Sequence, residues 1–309
     1  MSGRAAGALA VGCLALFALA GAHAEDGKPA RRTQLVLLGT GTPRPQPDRS
    51  GPCTAIVVDG TPYLVDVGPG VVRRAQAAFD RGVTGLAVTG LERAFVTHLH
   101  SDHTVGLPDL VFTPWVVGRK NALHVYGPKG IAAMTEHVLA AWREDVAMRT
   151  QGMEKKWPLR VEAHEVEPGV VYRDDRVTVT AVPIRHGNWK HAYGYAFQTP
   201  DRRIVISGDT SPSPELVAAC NGCDVLVHEV YASVTVAPMP DWPAYRRKYH
   251  TSTRELGELA KQARPGLLVV HHTSQRAADG GLIPEQLYLD EIREVYSGKV
   301  VFGRDLEVY

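Results

Sequence analysis

The order of strand-like and helix-like segments predicts an α/β fold of two facing mixed β-sheets with helices on their outer sides. Three observations carry that expectation. Apolar, β-branched runs dominate both halves of the chain, each half has helical segments of its own, and several of the runs end in a histidine or aspartate. A two-layer arrangement fits poorly, because each set of strands needs its own cover.

The elements follow in order. "QLVLLGT" (34–40), "CTAIVVDG" (53–60) and "PYLVDVG" (62–68) are bounded by Gly and Pro and predict three early strands, with a helix at about 70–81. "RAFVTH" (93–98) is a strand that runs into the histidine-rich segment "THLHSDHT". "LHVYG" (123–127) and the helix-like "GIAAMTEHVLAAW" (130–142) come next. The strand pattern then resumes in "RVTVTAVPI" (176–184), "YGYAFQT" (193–199), "RRIVISGD" (202–209) and "CDVLVHE" (223–229). Two helices, 252–263 and 284–295, flank a last strand, "GLLVVHH" (266–272). Ser252 and Glu255 have the spacing of a capping box, which starts the first of these helices and leaves His250 in the loop before it.

At 309 residues the chain can bury a sizeable core without staples. With 34 Lys plus Arg against 33 Asp plus Glu, no global field draws it to nucleic acid or an acidic membrane. A nucleic-acid partner would need a local patch. Arg4, the 14-residue apolar run "ALAVGCLALFALAG" and Ala22-His23-Ala24 have the form of a secretory signal peptide over residues 1–24, cut after Ala24. The run is shorter than the ~18–20 residues of a membrane span, so no stable anchor is expected, and the product would be periplasmic or secreted. Cys53, Cys220 and Cys223 remain. The "CNGC" pair lacks a second pair for a four-ligand site, so these are read as packing cysteines, with a Cys220–Cys223 disulfide left open.

His98, His100, Asp102 and His103 fall within six positions. On an extended segment, residues two apart point the same way, so His98 and His100 can address one ion while Asp102 and His103 serve a second beside it. Further ligand types should then stand at other strand ends. His186 follows "VTAVPIR", Asp209 follows "RIVISG", and His272 closes "GLLVVHH"; His228, Glu229 and His250 sit similarly. Neighbours on a strand face opposite ways, so only one of His271 and His272 can enter a cleft. His124, His137, His164 and His228 have no special spacing and are read as structural; His191 is left between structure and substrate contact.

"LGTGTPRP", "LVDVGPG", "THLHSDHTVGLPDL", "VYGPKG", "SGDT", "VHEVY", "HTST" and "LLVVHH" together resemble the ribonuclease Z and arylsulfatase-like branch of the metallo-β-lactamase fold, over about 34–303. The resemblance implies an αββα four-layer sandwich, with 25–309 as a single hydrolase domain. It implies that His98, His100 and His186 bind one zinc, that Asp102, His103 and His272 bind the other, and that Asp209 bridges. His272 rather than His271 is chosen because "HTSQR" is similar to a His-x-Ser-x-Arg motif of ribonuclease Z. Two Zn²⁺ suit these donors, with Mn²⁺ or Fe able to use the same set. Asp66 in "LVDVG" would orient a ligating histidine. Glu229 and His250 match the HEA-type and HST-type motifs, which implies His250 as general acid and Glu229 as its partner. Asp102 is counted with these as catalytic. Relatives of this kind often dimerise.

The function expected from this reading is an exported dinuclear zinc hydrolase that cleaves a small anionic ester, an aryl or alkyl sulfate or a phosphodiester, by metal-bound hydroxide. A ribonuclease Z-like endonuclease of the tRNA 3′-processing type is the alternative, and a non-catalytic metal-binding relative is a third reading. Export and the mere 22 residues between His186 and Asp209, too few for a tRNA-gripping arm, count against the endonuclease. Trp115, Arg246, Arg247 and Lys248 are the expected substrate contacts, the aromatic lining a pocket and the cations meeting the anionic group. Trp142, Trp157 and the stretch "PDWPAYRRKYH" supply further aromatics near the same mouth.

Overall fold

The structure is a computed structural model that describes residues 32–233, 241–273 and 281–309. The first sheet takes its strands in chain order: β1 (Thr33–Gly39), β2 (Cys53–Val58), β3 (Thr61–Val65), β4 (Arg93–Phe95), β5 (Leu123–Gly127) and β6 (Val161–Glu165). The second runs from β7 (Gly169–Arg173) through β8 (Thr178–Pro183), β9 (Tyr193–Gln198), β10 (Arg203–Ile206), β11 (Val225–Glu229) and β12 (Leu267–His271) to β13 (Val300–Phe302) at its far edge. Both sheets are mixed. β1 to β3 pair antiparallel and β3 to β6 parallel, and β7 to β10 pair antiparallel and β10 to β13 parallel. Parallel pairing aligns the C-terminal ends of several strands at one rim, where one loop after another can deliver a side chain.

Helices flank the sheets: α1 (Val71–Asp80), α3 (Leu107–Val116), α4 (Ile131–Ala141) and α5 (Arg143–Arg149) go with the first sheet, and the single turn α2 (Ser101–Thr104) stands at its rim. The second sheet carries α6 (Pro214–Cys220), α8 (Thr253–Ala263) and α9 (Glu285–Arg293), while α7 (Trp242–Tyr249) ends beside His186 at the rim. This layering explains why the strands are apolar throughout rather than alternating. In β2, Ile56 and Val58 face the core between the sheets while Ala55 and Val57 face the helices. In β11, Val225 and Val227 point inward and Leu226 packs on the helical side. Phe95 centres the inter-sheet core, stacked on Tyr126 at 5.0 Å and edge-on to Tyr195 and Phe197 at 5.6 Å each.

The expected strands and helices form within a few residues of the predicted limits, and the Ser252–Glu255 capping box is present at the start of α8. Elements that the sequence pattern omits are β6, β7, β13, α2, α3 and α5 to α7. β6 is a half-polar edge strand, and β7, the edge strand of the other sheet, offers only the short run Val170–Val171–Tyr172 between Gly169 and Arg173. α3 carries Pro114 within it, a residue that ordinarily argues against a helix interior. Cys220 and Cys223 form a disulfide, and Cys53 is buried and free. Among the described residues, no helix is long and apolar enough to cross a membrane. The expected signal peptide, 1–24, lies outside the described residues.

Candidate metal centre

The rim where the strands end gathers side chains from both halves of the chain. Beyond β4 the chain stays extended, with His100 at φ −63°, ψ 148°, and then tightens into α2, which presents Asp102 and His103. His186 follows β8, Asp209 follows β10, and His272 follows β12. Two of the positions needed are strained. Asp66, just past β3, has φ +62° and His272 has φ +49°, both in the left-handed region that costs a non-glycine side chain energy. That turn at His272 carries its ring into the cleft although the strand alternation ends with His271.

Two groups result. His98, His100, His186 and Asp209 each offer an atom within 4.8 Å of the others, and so do Asp102, His103 and His272. In the first group Nε2 of His98 is 3.0 Å and Nε2 of His186 is 3.1 Å from Nδ1 of His100. The outer nitrogens are already committed. Nδ1 of His186 donates to the Tyr249 carbonyl at 2.7 Å, and Nδ1 of His98 lies 3.0 Å from the Thr97 hydroxyl, which in turn donates to Asp66. In the second group His103 Nδ1 meets Asp66 at 2.8 Å, and His272 Nε2 meets Asp102 at 3.2 Å. Asp209 Oδ1 lies between the groups' histidines, 3.4 Å from His103 Nε2 and 3.3 Å from His272 Nδ1.

The electrostatics suit cation binding. Burial first, then neighbouring imidazoles, keep His98 well below its ordinary value, and burial brings His186 down to about 4 and His100 down as well. These rings are neutral, with lone pairs available. Burial works against the Asp209 carboxylate, yet His272 and His103 hold it well below the usual range; Asp102 is lowered by its bond to His272 in spite of burial. Burial is likewise overridden at His103, which Asp66 and Asp209 push well up, so an ion entering there would displace a proton. Among the described residues the buried His103 Nε2 and Asp209 Oδ1 find no hydrogen-bond partner. Orphaned buried atoms of that kind cost about 1–3 kcal/mol each, and coordination of a cation would satisfy both. The residues therefore fit a pair of metal ions, held by imidazole and carboxylate alone.

Beside this cluster stands a separate pair. Glu229, at the end of β11 and almost fully buried, accepts from the backbone N–H groups of Thr210 and Thr251 at 3.1 Å each, and His250 Nδ1 is 3.3 Å from the same oxygen. Burial alone would lower His250, but Glu229 raises it to about 9. Gly187 makes the geometry possible: at φ +58°, any Cβ there would fall 1.9 Å from the Tyr249 ring, whose carbonyl holds His186.

Residues 61–273 match the family described as a beta-lactamase superfamily domain. The ribonuclease Z of Mycobacterium bovis (strain BCG / Pasteur 1173P2) is 33% identical over 281 residues, covering 88% of this chain and 96% of that protein. The chain belongs to the beta-lactamase superfamily, in its ribonuclease Z branch. A second ribonuclease Z, from Mycobacterium sp. (strain KMS), is 36% identical over 251 residues, covering 80% of this chain and 86% of its own. Among solved structures, the short form of human tRNase Z shares the fold with TM-score 0.64 at 20% identity, over 89% of this chain and 98% of that one. The protein is thus a metal-dependent hydrolase of the metallo-β-lactamase fold, with its candidate ligands where the two sheets' strands end.

Membership of this branch overturns the expected location. The exported, periplasmic assignment rested on an Arg-led Ala/Leu/Gly run, which is a compositional signal. A match over 281 residues to enzymes named ribonuclease Z outweighs it. Substrate contacts also need correcting. Trp115 is 1% exposed and packs in the core under α3, its indole N–H given to the Trp157 carbonyl at 3.0 Å, so it cannot touch a substrate. Its apolar neighbours on α3, not the cleft, decide where it points. Arg246 is also buried, its guanidinium over the Tyr231 ring at 5.4 Å, whereas Arg247 and Lys248 are exposed. Lys248 donates to Asn188 at 2.6 Å. His271 is buried, with neither ring nitrogen hydrogen-bonded among the described residues, and His191 is half-buried.

Sequence reasoning missed Trp189. Its indole N–H lies 3.0 Å from Nε2 of His100, and its ring is 5.1 Å from that histidine, at the wall of the centre. Its place three residues after His186 was the available signal. Glu291 was missed as well. It is a buried carboxylate on α9 that accepts from the Ser233 N–H at 3.1 Å, the Thr253 hydroxyl at 2.5 Å and the Ser233 hydroxyl, so it ties together the chain segments that follow Glu229 and His250.

Proposed function

We propose that this protein is a dinuclear zinc phosphodiesterase of the ribonuclease Z type, which cuts an RNA strand beyond a structured 3′ end. His98, His100 and His186 would hold one ion, Asp102, His103 and His272 the other, with Asp209 between them. When bound, the ions supply Lewis acidity, lowering the pKa of a water and neutralising charge that builds on the phosphoryl oxygens. The observation that carries the reading is the His250–Glu229 pair, 3.3 Å apart and next to Asp209, to whose other oxygen His250 Nδ1 comes within 4.0 Å.

A ribose leaving as alkoxide needs a proton, and His250 is poised to give one. Glu229 is fixed by two backbone N–H groups and presents its oxygen to Nδ1 of His250, which keeps the imidazolium charged near neutral pH and leaves Nε2 as the donor. Asp66 fixes His103 through Nδ1, and the Tyr249 carbonyl fixes His186, so both rings offer Nε2 inward. Likeness to relatives named ribonuclease Z over 88% of the chain supports RNA as the substrate class.

A second reading, a small phosphodiester, is favoured by one feature: the 22 residues between His186 and Asp209 are used up by β9, β10 and short loops, which leaves no added arm there. Purified, zinc-loaded protein should be given a precursor tRNA with a 3′ trailer, bis(p-nitrophenyl) phosphate and p-nitrophenyl sulfate. The proposal expects cleavage at the trailer junction with kcat/KM far above that for either nitrophenyl ester. Faster turnover of the sulfate would refute the phosphodiesterase reading, and faster turnover of the small phosphodiester would replace RNA as the substrate.

A further inference from the structure

Away from the catalytic rim, the parallel pairing of β5 and β6 sets His124 beside Glu162 and Tyr126 beside His164. Residues two apart on a strand share a face, so His124, Glu162 and His164 all project to the same side. Their side chains meet there: Nδ1 of His124 is 3.2 Å from Nε2 of His164 and 3.4 Å from Oε2 of Glu162. One atom from each of the three lies within 4.8 Å of the others.

The approach of two imidazole nitrogens is nearly that found between His98, His100 and His186, at 3.0 and 3.1 Å, where a metal position is expected. The cluster is not part of that centre. His124 pairs with Arg93 at the start of β4, and His98 lies five residues further on, about 16 Å along an extended chain. Nor, among the described residues, does a cation from the protein fill the position. Arg93, the neighbouring base on this face, is turned to the Tyr172 hydroxyl at 2.8 Å and to Glu92 at 3.5 Å. The rings are also preset: His164 stacks on Tyr126 with centroids 4.5 Å apart and planes 16° from parallel, and His124 stacks on His164 at 5.5 Å and 16°. The site is open to solvent, with a third of the His124 side chain and about half of Glu162 exposed.

We propose that His124, Glu162 and His164 form a third metal site, separate from the hydrolytic centre, that binds a divalent transition-metal cation of the zinc class. Two imidazoles and one carboxylate match the donor preference of Zn²⁺, with water completing the shell. Among the described residues β6 is the edge strand of its sheet, so an ion held there would tie that edge to β5. This inference does not depend on the nature of the hydrolysed substrate.

The test uses full-length, tag-free protein, stripped with chelator and equilibrated by dialysis against buffered Zn²⁺, with bound metal counted by mass spectrometry. Glu162→Gln and His164→Ala should each bind one zinc ion fewer than the wild type. Both should hydrolyse bis(p-nitrophenyl) phosphate at the wild-type rate, because neither residue lies in the hydrolytic centre. Glu162→Gln changes an exposed side chain and guards against misfolding of the histidine variant, with circular dichroism as the check. If Glu162→Gln folds like the wild type and binds the same number of ions, the third site does not exist.

Discussion

Replacing Asp66 by asparagine removes one negative charge and almost no volume, at the residue on which the proposed second metal position depends. Asparagine tolerates the left-handed backbone, so the φ of +62° at this position adds no new strain. The amide oxygen can still accept from the Thr97 N–H, a 2.8 Å bond in the native protein, so the local turn should survive at a cost of about 1 kcal/mol. The difference falls on His103. Its Nδ1 now donates to Oδ2 of Asp66 at 2.8 Å, which leaves Nε2 as the inward atom, 3.4 Å from Asp209 and 3.5 Å from Asp102. An amide NH₂ in place of Oδ2 would donate to Nδ1 instead, driving the proton to Nε2 and closing the lone pair that a metal needs. Loss of an outer partner of this kind costs about 10–100-fold in metal affinity, or about 1.4–2.8 kcal/mol. Chelator competition should show one zinc released that much more readily while the other stays, and nitrogen NMR should show the His103 tautomer exchanged. Wild-type affinity for both ions in a folded Asp66→Asn protein would refute the orientation argument.

Three further outcomes follow from the same geometry. His250 acts as an acid in its protonated form, and Glu229 holds its pKa up at about 9, so kcat/KM should be level below that value and fall as pH rises through it. In Glu229→Gln the fall should begin at lower pH, with kcat reduced by about 10²–10⁴-fold if the proton transfer is lost; an unchanged alkaline limb would exclude the pairing. Glu291→Gln should cost about 1–3 kcal/mol in denaturant unfolding, because a buried carboxylate with three donors from Ser233 and Thr253 becomes mispaired, and kcat should drop with KM little changed. Gly187→Ala places a Cβ 1.9 Å from the Tyr249 ring at a positive φ; it should lower Tm and weaken zinc binding together, as the Tyr249 carbonyl leaves His186, and a stable variant with full metal content would show that the contact yields freely.

What could be seen in the sequence depended on which physical cause decided each position. The strands of the two sheets are legible because burial on both faces demands an unbroken apolar run, as in "CTAIVV" and "VLV". The histidine and aspartate positions are legible because a site fed by strand ends places one ligand-type residue after each such run. Edge strands escape this logic. β6 reads "VEAHE" because one face meets solvent, and the same polarity that hid the strand is what brings His124, Glu162 and His164 together. Aromatic residues were misjudged for a related reason. A tryptophan in a sequence does not declare whether its indole lines a cleft or fills a core, and here Trp115 closes a reciprocal pair with Trp157 while Trp189 reaches His100. Location in the cell is further still from local physics. An Ala/Leu-rich leader is weighed by composition alone, so a likeness carried by 281 aligned residues had to overrule it. The choice between His271 and His272 marks the boundary between these cases: alternation says that one of them enters the cleft, the likeness of "HTSQR" picks His272, and the turn at φ +49° supplies the physical reason.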